Sequence, residues 1–178
     1  SDTNGRDELT TRGKLHWEVS EDLRVKFTGM LVDLDNGYDA WAIDNSLTTL
    51  SDKPGKDSQR TAAGAMRIEW DVSEQVSLLS ISTLADSDVL FSFDGDWGND
   101  DSWGVNGPYD FFSTTERKRN SLSQELRLSS RPGAELFSGT TAWVLGLYAL
   151  DVEESNDILD TYNGGIYRSL YSDYQATN

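Results

Sequence analysis

Apolar and polar residues alternate with a period of two along much of this chain, the spacing of a strand with one dry and one wet face. Across 9–19, Leu9, Thr11, Gly13, Leu15, Trp17 and Val19 fall on one side, against Thr10, Arg12, Lys14, His16 and Glu18 on the other. Across 23–34, Leu23, Val25, Phe27, Gly29 and Leu31 oppose Arg24, Lys26 and Thr28. Further strands are predicted over 61–70, 76–84, 121–130 and 140–152. In the fourth, the adjacent Leu78 and Leu79 break the alternation and predict a bulge or a face packed on protein.

A heptapeptide occurs twice. Residues 17–23 read W-E-V-S-E-D-L and residues 70–76 read W-D-V-S-E-Q-V. Each copy joins two predicted strands through a short polar turn, and Pro132-Gly133 supplies a third turn over 131–139. Long polar segments, 35–59 and 86–120, fill the other ends, and the Tyr-rich tail beyond Glu153 begins a third loop with no evident return strand. Gly164-Gly165 reads as a turn, with no helix after it to cradle a phosphate. The expectation is one all-β domain over 1–178, an antiparallel up-and-down sheet of about six strands with long loops on one side. Short turns opposite long loops are the pattern of a transmembrane β-barrel.

Composition narrows the function. With 15 Lys and Arg against 31 Asp and Glu, the formal charge of −16 disfavours phosphate backbones, so no nucleic-acid partner is expected. Mean hydropathy is −0.55, and the longest apolar run, A-W-V-L-G-L-Y-A-L (142–150), falls short of the roughly 20 residues of a spanning helix. It matches the roughly 9–11 residues of a tilted spanning strand. The chain has no cysteine and one histidine, His16, which excludes disulfides, thiolate metal sites and two-His arrangements within the chain. Without a G-x-S-x-G element, no enzyme activity and no catalytic residue is expected, and no cofactor is implied. The polar opening residues carry no signal peptide.

The segment S-L-S-Q-E-L-R-L-S-S (121–130), followed by a turn and A-W-V-L-G-L-Y (142–148), resembles a barrel hairpin of TonB-dependent outer-membrane receptors. The stretch from Trp17 through D-N-G-Y-D (35–39) to Ile68-Glu69-Trp70 is similar in style. The resemblance implies a fragment of a barrel of about 22 strands, plugged by a separate domain that this chain lacks. It also implies a bacterial outer-membrane location and import of a scarce ligand such as a ferric siderophore. The energy would come from an inner-membrane complex acting on segments absent here. An isolated slice of such a barrel, with two open edges and an apolar face, is expected to self-associate.

Candidate sites follow. Trp17 and Trp70 beside the tight turns suit a membrane-interface girdle, the alternative being strand-end packing. Asp94, Asp96, Asn99, Asp100 and Asp101 surround Trp97. Their oxygens suit Ca²⁺ in type but lack the EF-hand spacing, and a solvated acidic loop is the plainer alternative. Trp97, Trp103, Tyr109, Phe111 and Phe112 can stack on a siderophore or sugar ring. With Asp94, Asp96, Asp100 and Trp41 these aromatic residues form the ligand-binding candidates, and no metal site is assigned. Asp35, Tyr38, Asp39, Trp41 and Asp44 make a second polar-aromatic loop. Arg12, Lys14, Arg24 and Lys26 line a barrel lumen or a solvated face with pairs such as Glu18 and Arg24. The competing reading is a soluble β-sandwich that recognises carbohydrate through the Trp- and Asp-rich loop, with calcium as an option. A β-rich glycosidase with paired carboxylates is a third.

Overall fold

The structure, a computed structural model, describes residues 4–38, 41–107 and 109–178. Seven strands form one sheet: β1 (Glu8–Glu18), β2 (Leu23–Tyr38), β3 (Gly55–Asp71), β4 (Val76–Asp94), β5 (Phe111–Ser130), β6 (Val144–Tyr162) and β7 (Gly165–Thr177). They lie in chain order, each antiparallel to the next. β1 and β7 are the two edges, and the sheet is not closed into a barrel. The all-β, antiparallel, up-and-down architecture is the one the alternation predicts. A sandwich needs two facing sheets, and the described residues form one.

Both copies of the heptapeptide use serine to hold the turn. The Ser20 hydroxyl accepts from Asp22 N (3.3 Å), and the Ser73 hydroxyl accepts from Gln75 N and Val76 N (3.2 Å each). Asp71 N donates to Asp22 O (2.8 Å), so the two turns are tied side by side. Such serine turns satisfy backbone donors that the ladder leaves open.

Several expectations need correction. The sheet has seven strands, not six. The tail beyond Glu153 is no loop: β6 runs on to Tyr162, turns through Asn163-Gly164 and returns as β7. Asn163 (φ 47°) and Gly164 (φ 73°) are both left-handed, as a two-residue hairpin turn requires. The two remaining loops shrink to 39–54 and 95–110, because β2, β3, β4 and β5 extend past the points where their apolar alternation fades. The turn after β5 is longer than expected, spanning 131–143, with left-handed backbone at Phe137 (φ 53°) and Ser138 (φ 61°). Leu78 and Leu79 form no bulge, since Trp70↔Leu78 and Glu69↔Leu79 pair in unbroken register. The recorded irregularity lies at Asp160/Thr161.

Register settles which residues share a face. Leu23, Trp70, Leu78, Leu128 and Leu145 stand in one row, and Val25, Trp17, Ile68, Ser80, Leu126 and Leu147 in another on the same face. Phe27, Leu15, Met66 and Ala149 extend this belt, which ends near Leu31 and Ala62. The opposite face at this level carries Lys14, His16, Lys26, Arg67, Glu69, Glu125 and Arg127. None of the described residues covers the belt. Among the described residues Val25 is the only buried hydrophobic side chain, while Leu147 is 73% and Leu31 61% exposed.

Candidate functional site: a loop cap above an apolar belt

The two long loops are stitched together at the top of β4. Asp94, fully buried, ends that strand. One of its carboxylate oxygens accepts from Ser51 Oγ (2.7 Å) and Asp52 N (3.2 Å), and the other from Asp96 N (3.3 Å). Asp96, also buried, accepts from Gly98 N (2.8 Å), Trp103 Nε1 (3.2 Å) and Phe111 N (2.8 Å). Asn99 caps a one-turn helix at Asp100–Trp103, accepting from Ser102 N (2.9 Å), and reaches Leu50 O through Nδ2 (2.8 Å). Lys53 pairs with both carboxylate oxygens of Asp110. Buried carboxylates that accept several N–H groups are costly to remove, because each abandoned donor loses its partner.

Glycine makes these approaches possible. A Cβ on Gly98 would collide with the Trp103 indole and with Ser102 Oγ, and one on Gly95 with the Phe111 ring. The D-G-D-W-G-N segment therefore alternates an acid that binds backbone with a glycine that admits a ring.

Burial, with Asp96 beside it, raises Asp94 above the ordinary carboxylate range despite its hydrogen bonds. The hydrogen bond from Lys53 to Asp110 holds that ammonium above the ordinary lysine value. Asp44 lies below the usual range because it accepts from Ser46 N (2.9 Å).

The structure pairs most of the candidate aromatic residues. Trp41 packs on Trp97 (ring centroids 4.5 Å apart), and Trp97 adopts a left-handed φ of 54°. Trp103 meets Tyr109 edge to face (5.1 Å), and Tyr109 continues to Tyr162 (5.9 Å). Phe111 meets Tyr167 (5.9 Å), and Tyr38 meets Phe91 (4.7 Å). Tyr162 and Tyr167 escaped the sequence reading because they belong to the β6–β7 hairpin. The Asn163-Gly164 dipeptide was the signal that places them here. Asp94 and Asp96 sit beneath the cap with their oxygens turned onto loop backbone, whereas Asp100 and Asp101 are exposed. Phe112 stands opposite Asp94. Asp35 pairs with Lys56 (3.3 Å), and Asp39 lies outside the described residues. Among the described residues no group of three or more His, Asp or Glu side chains is placed to hold a metal ion.

At the other end, Trp17 and Trp70 project from the belt face next to the serine turns, 55% and 44% exposed. Arg12, Lys14, Arg24, Lys26 and His16 occupy the opposite face. Glu18 stands across from Arg24 in register, but the ion pair Arg24 makes is with Glu69 (3.9 Å), which also takes Lys26 (3.2 Å) and Arg67 (2.7 Å). Among the described residues no helix is long and apolar enough to cross a membrane.

The belt itself holds a polar inlay. Ser82 Oγ donates to Gln124 Oε1 (2.5 Å), while Gln124 Nε2 donates to Ser80 Oγ and Glu125 O (3.0 Å each). Polar groups that partner one another in this way tolerate an apolar medium.

No protein-family model, no curated protein and no solved structure matches the chain.

Proposed function

We propose that this chain is part of the barrel of a TonB-dependent outer-membrane receptor, and that its loop cap contributes to capture of a scarce ligand such as a ferric siderophore. The observation that carries the reading is the uncovered belt. On β2 it runs from Leu23 to Leu31, about 27 Å of strand, close to the 9–11 residues that a tilted strand needs to cross a bilayer. A sheet that buries one hydrophobic side chain has no core of its own, so its apolar face requires a medium. Lipid supplies it. The Trp pair at the turn end fits the interface, and the charged opposite face fits a lumen.

In this reading the belt anchors, the cap binds, and no catalytic step is involved. Trp103, Tyr109 and Tyr162 offer a run of rings for an aromatic or sugar-like ligand surface. Energy coupling to an inner-membrane complex belongs to segments outside this chain. The free edges of β1 and β7 pair with neighbouring barrel strands, and without them the isolated chain self-associates.

The test is a titration of the chain in nonionic detergent with ferric hydroxamate and ferric catecholate complexes, read by tryptophan fluorescence. Saturable quenching that Trp103→Ala and Tyr109→Ala weaken supports capture by the cap. Absence of any saturable response, or a response to simple sugars instead, contradicts it.

A further inference from the structure

The pair Asn-Gly occurs four times in the chain, at 4–5, 36–37, 106–107 and 163–164. Glycine adds no side chain to obstruct attack by its own nitrogen on the preceding amide, and its backbone bends readily, so the pair favours loss of that amide. The reaction needs an exposed amide, a backbone nitrogen that can give up its hydrogen bond, and a segment able to bend until the two meet.

The sheet denies these conditions at two of the pairs. Asn36 lies within β2, where its Oδ1 accepts from Asp7 N (3.1 Å) and its Nδ2 donates to Glu8 Oε1 (2.9 Å). The nitrogen that would attack it, Gly37 N, donates to Gly5 O (2.8 Å). Asn163 is fixed in the β6–β7 turn, its Oδ1 accepting from Asp110 N (3.0 Å) and its N donating to Asp110 O (2.8 Å). Asn4-Gly5 precedes β1. Asn106 differs. It ends a short 3-10 turn, Gly104–Asn106, in the cap. It is exposed, and among the described residues its side chain has no hydrogen-bond partner. The bond that holds Gly107 N is the one to Gly104 O (3.1 Å). A Cβ on Gly104 would meet nothing, so no neighbour braces the turn there. A turn with no buried residue, closed by such a bond, opens at little cost.

We propose that Asn106 is a modification site, at which the cap ages by loss of the side-chain amide. Hydroxide takes the proton of Gly107 N, which attacks Asn106 Cγ. The Cγ–Nδ2 bond breaks, the leaving nitrogen takes a proton from water, and ammonia departs, giving a cyclic imide. Water then opens either carbonyl of the imide, giving aspartate or an isoaspartate whose β-carbon has entered the main chain. Either product sets a new carboxylate near the exposed Asp100 and Asp101. The isoaspartate also lengthens the link between Trp103 and Tyr109, whose rings meet edge to face (5.1 Å), and that contact loosens. The site lies outside the machinery of ligand capture, and its failure leaves the membrane reading untouched.

The test is peptide mapping by mass spectrometry of the full chain in nonionic detergent, held in mildly alkaline buffer and sampled over time. Conversion is read as the amide-to-acid mass gain, and isoaspartate by enzymatic methylation. Asn106 is expected to convert about tenfold faster than Asn36 or Asn163, the factor that a hydrogen-bonded lock imposes. In concentrated urea the rates should converge. Gly107→Ala should slow Asn106 several-fold, because its Cβ would sit 3.3 Å from Gly104 O and restrict the approach. Hydrogen exchange over 99–109 should quicken in aged wild-type protein and stay unchanged in aged Asn106→Gln, whose longer side chain closes the ring poorly. The proposal is overturned if Asn106 converts no faster than Asn36 and Asn163, if the ratio of rates is the same in urea as in the folded protein, or if Asn106 converts with no change in hydrogen exchange.

Discussion

The turn-side and loop-side halves of the sheet are built from the same strands but opposite polarity. On the turn side, the face bearing Trp17, Phe27, Leu126 and Leu147 is apolar and the other is charged. On the loop side, that same first face carries Asp33, Arg60, Asp88 and Lys118, while the second carries Tyr38, Phe91, Phe93 and Phe111. The change falls near the row of Gly13, Gly29 and Gly64. The halves also differ in how they are satisfied. The loop-side aromatic residues pack against one another and against a cap pinned by buried acids. The turn-side belt packs against none of the described residues. One half packs its rings on one another, and the other leaves its apolar side chains exposed.

Substitutions at matched positions separate these two regimes. Phe27→Arg, midway along the belt, should cost about 3 kcal/mol in lipid vesicles, as a charge near the midplane of a barrel does. Ser58→Arg, on the same face but beyond the belt, should cost less than about 0.5 kcal/mol. Urea unfolding in vesicles measures both, and equal costs would erase the distinction between the halves.

Asp96→Ala addresses the cap. It strands the Gly98, Trp103 and Phe111 donors and should weaken the cap by about 2 kcal/mol. Hydrogen exchange over 95–111 should accelerate, while the β1–β2 and β3–β4 turns stay protected. Gly98→Ala forces the Trp103 ring outward and should cost about 1–2 kcal/mol, seen as a red-shifted Trp103 emission.

The smallest effect is on pH. Asp94 binds its proton more tightly folded than unfolded, so its contribution to stability is greatest in acid. That contribution falls as pH rises from the ordinary Asp value of about 3.9 through the raised folded one. Thermal melting followed by Trp97 emission should show a mild loss in that window, absent in Asp94→Ala.

Much of the turn-side half was legible in the sequence, because its alternation is apolar against charged and its turns carry a repeated signature. Val19 and Leu34 mark strand ends to within a few residues. The loop-side half was harder. Over 86–94 the sequence D-S-D-V-L-F-S-F-D still alternates, with Val89, Phe91 and Phe93 on one side, but with the apolar face switched. A reading that follows one face loses the strand there. β7 is hidden because its turn sits at Asn163-Gly164 rather than at Gly164-Gly165. The aromatic pairs of the cap were legible as residue types, whereas the inward turn of Asp94 and Asp96 depends on Ser51, Trp103 and Phe111, which chain distance hides.

The central claim is that the turn-side belt lies in lipid and the loop cap outside it. The direct test places one tryptophan at a time, at 17, 70, 97 or 103, with the others changed to Phe, and measures quenching by brominated lipids in vesicles. The account predicts strong quenching of Trp17 and Trp70, greatest with bromines near the headgroups, and little quenching of Trp97 and Trp103. Equal quenching at all four positions, or none at Trp17 and Trp70 in vesicle-bound protein, would contradict it.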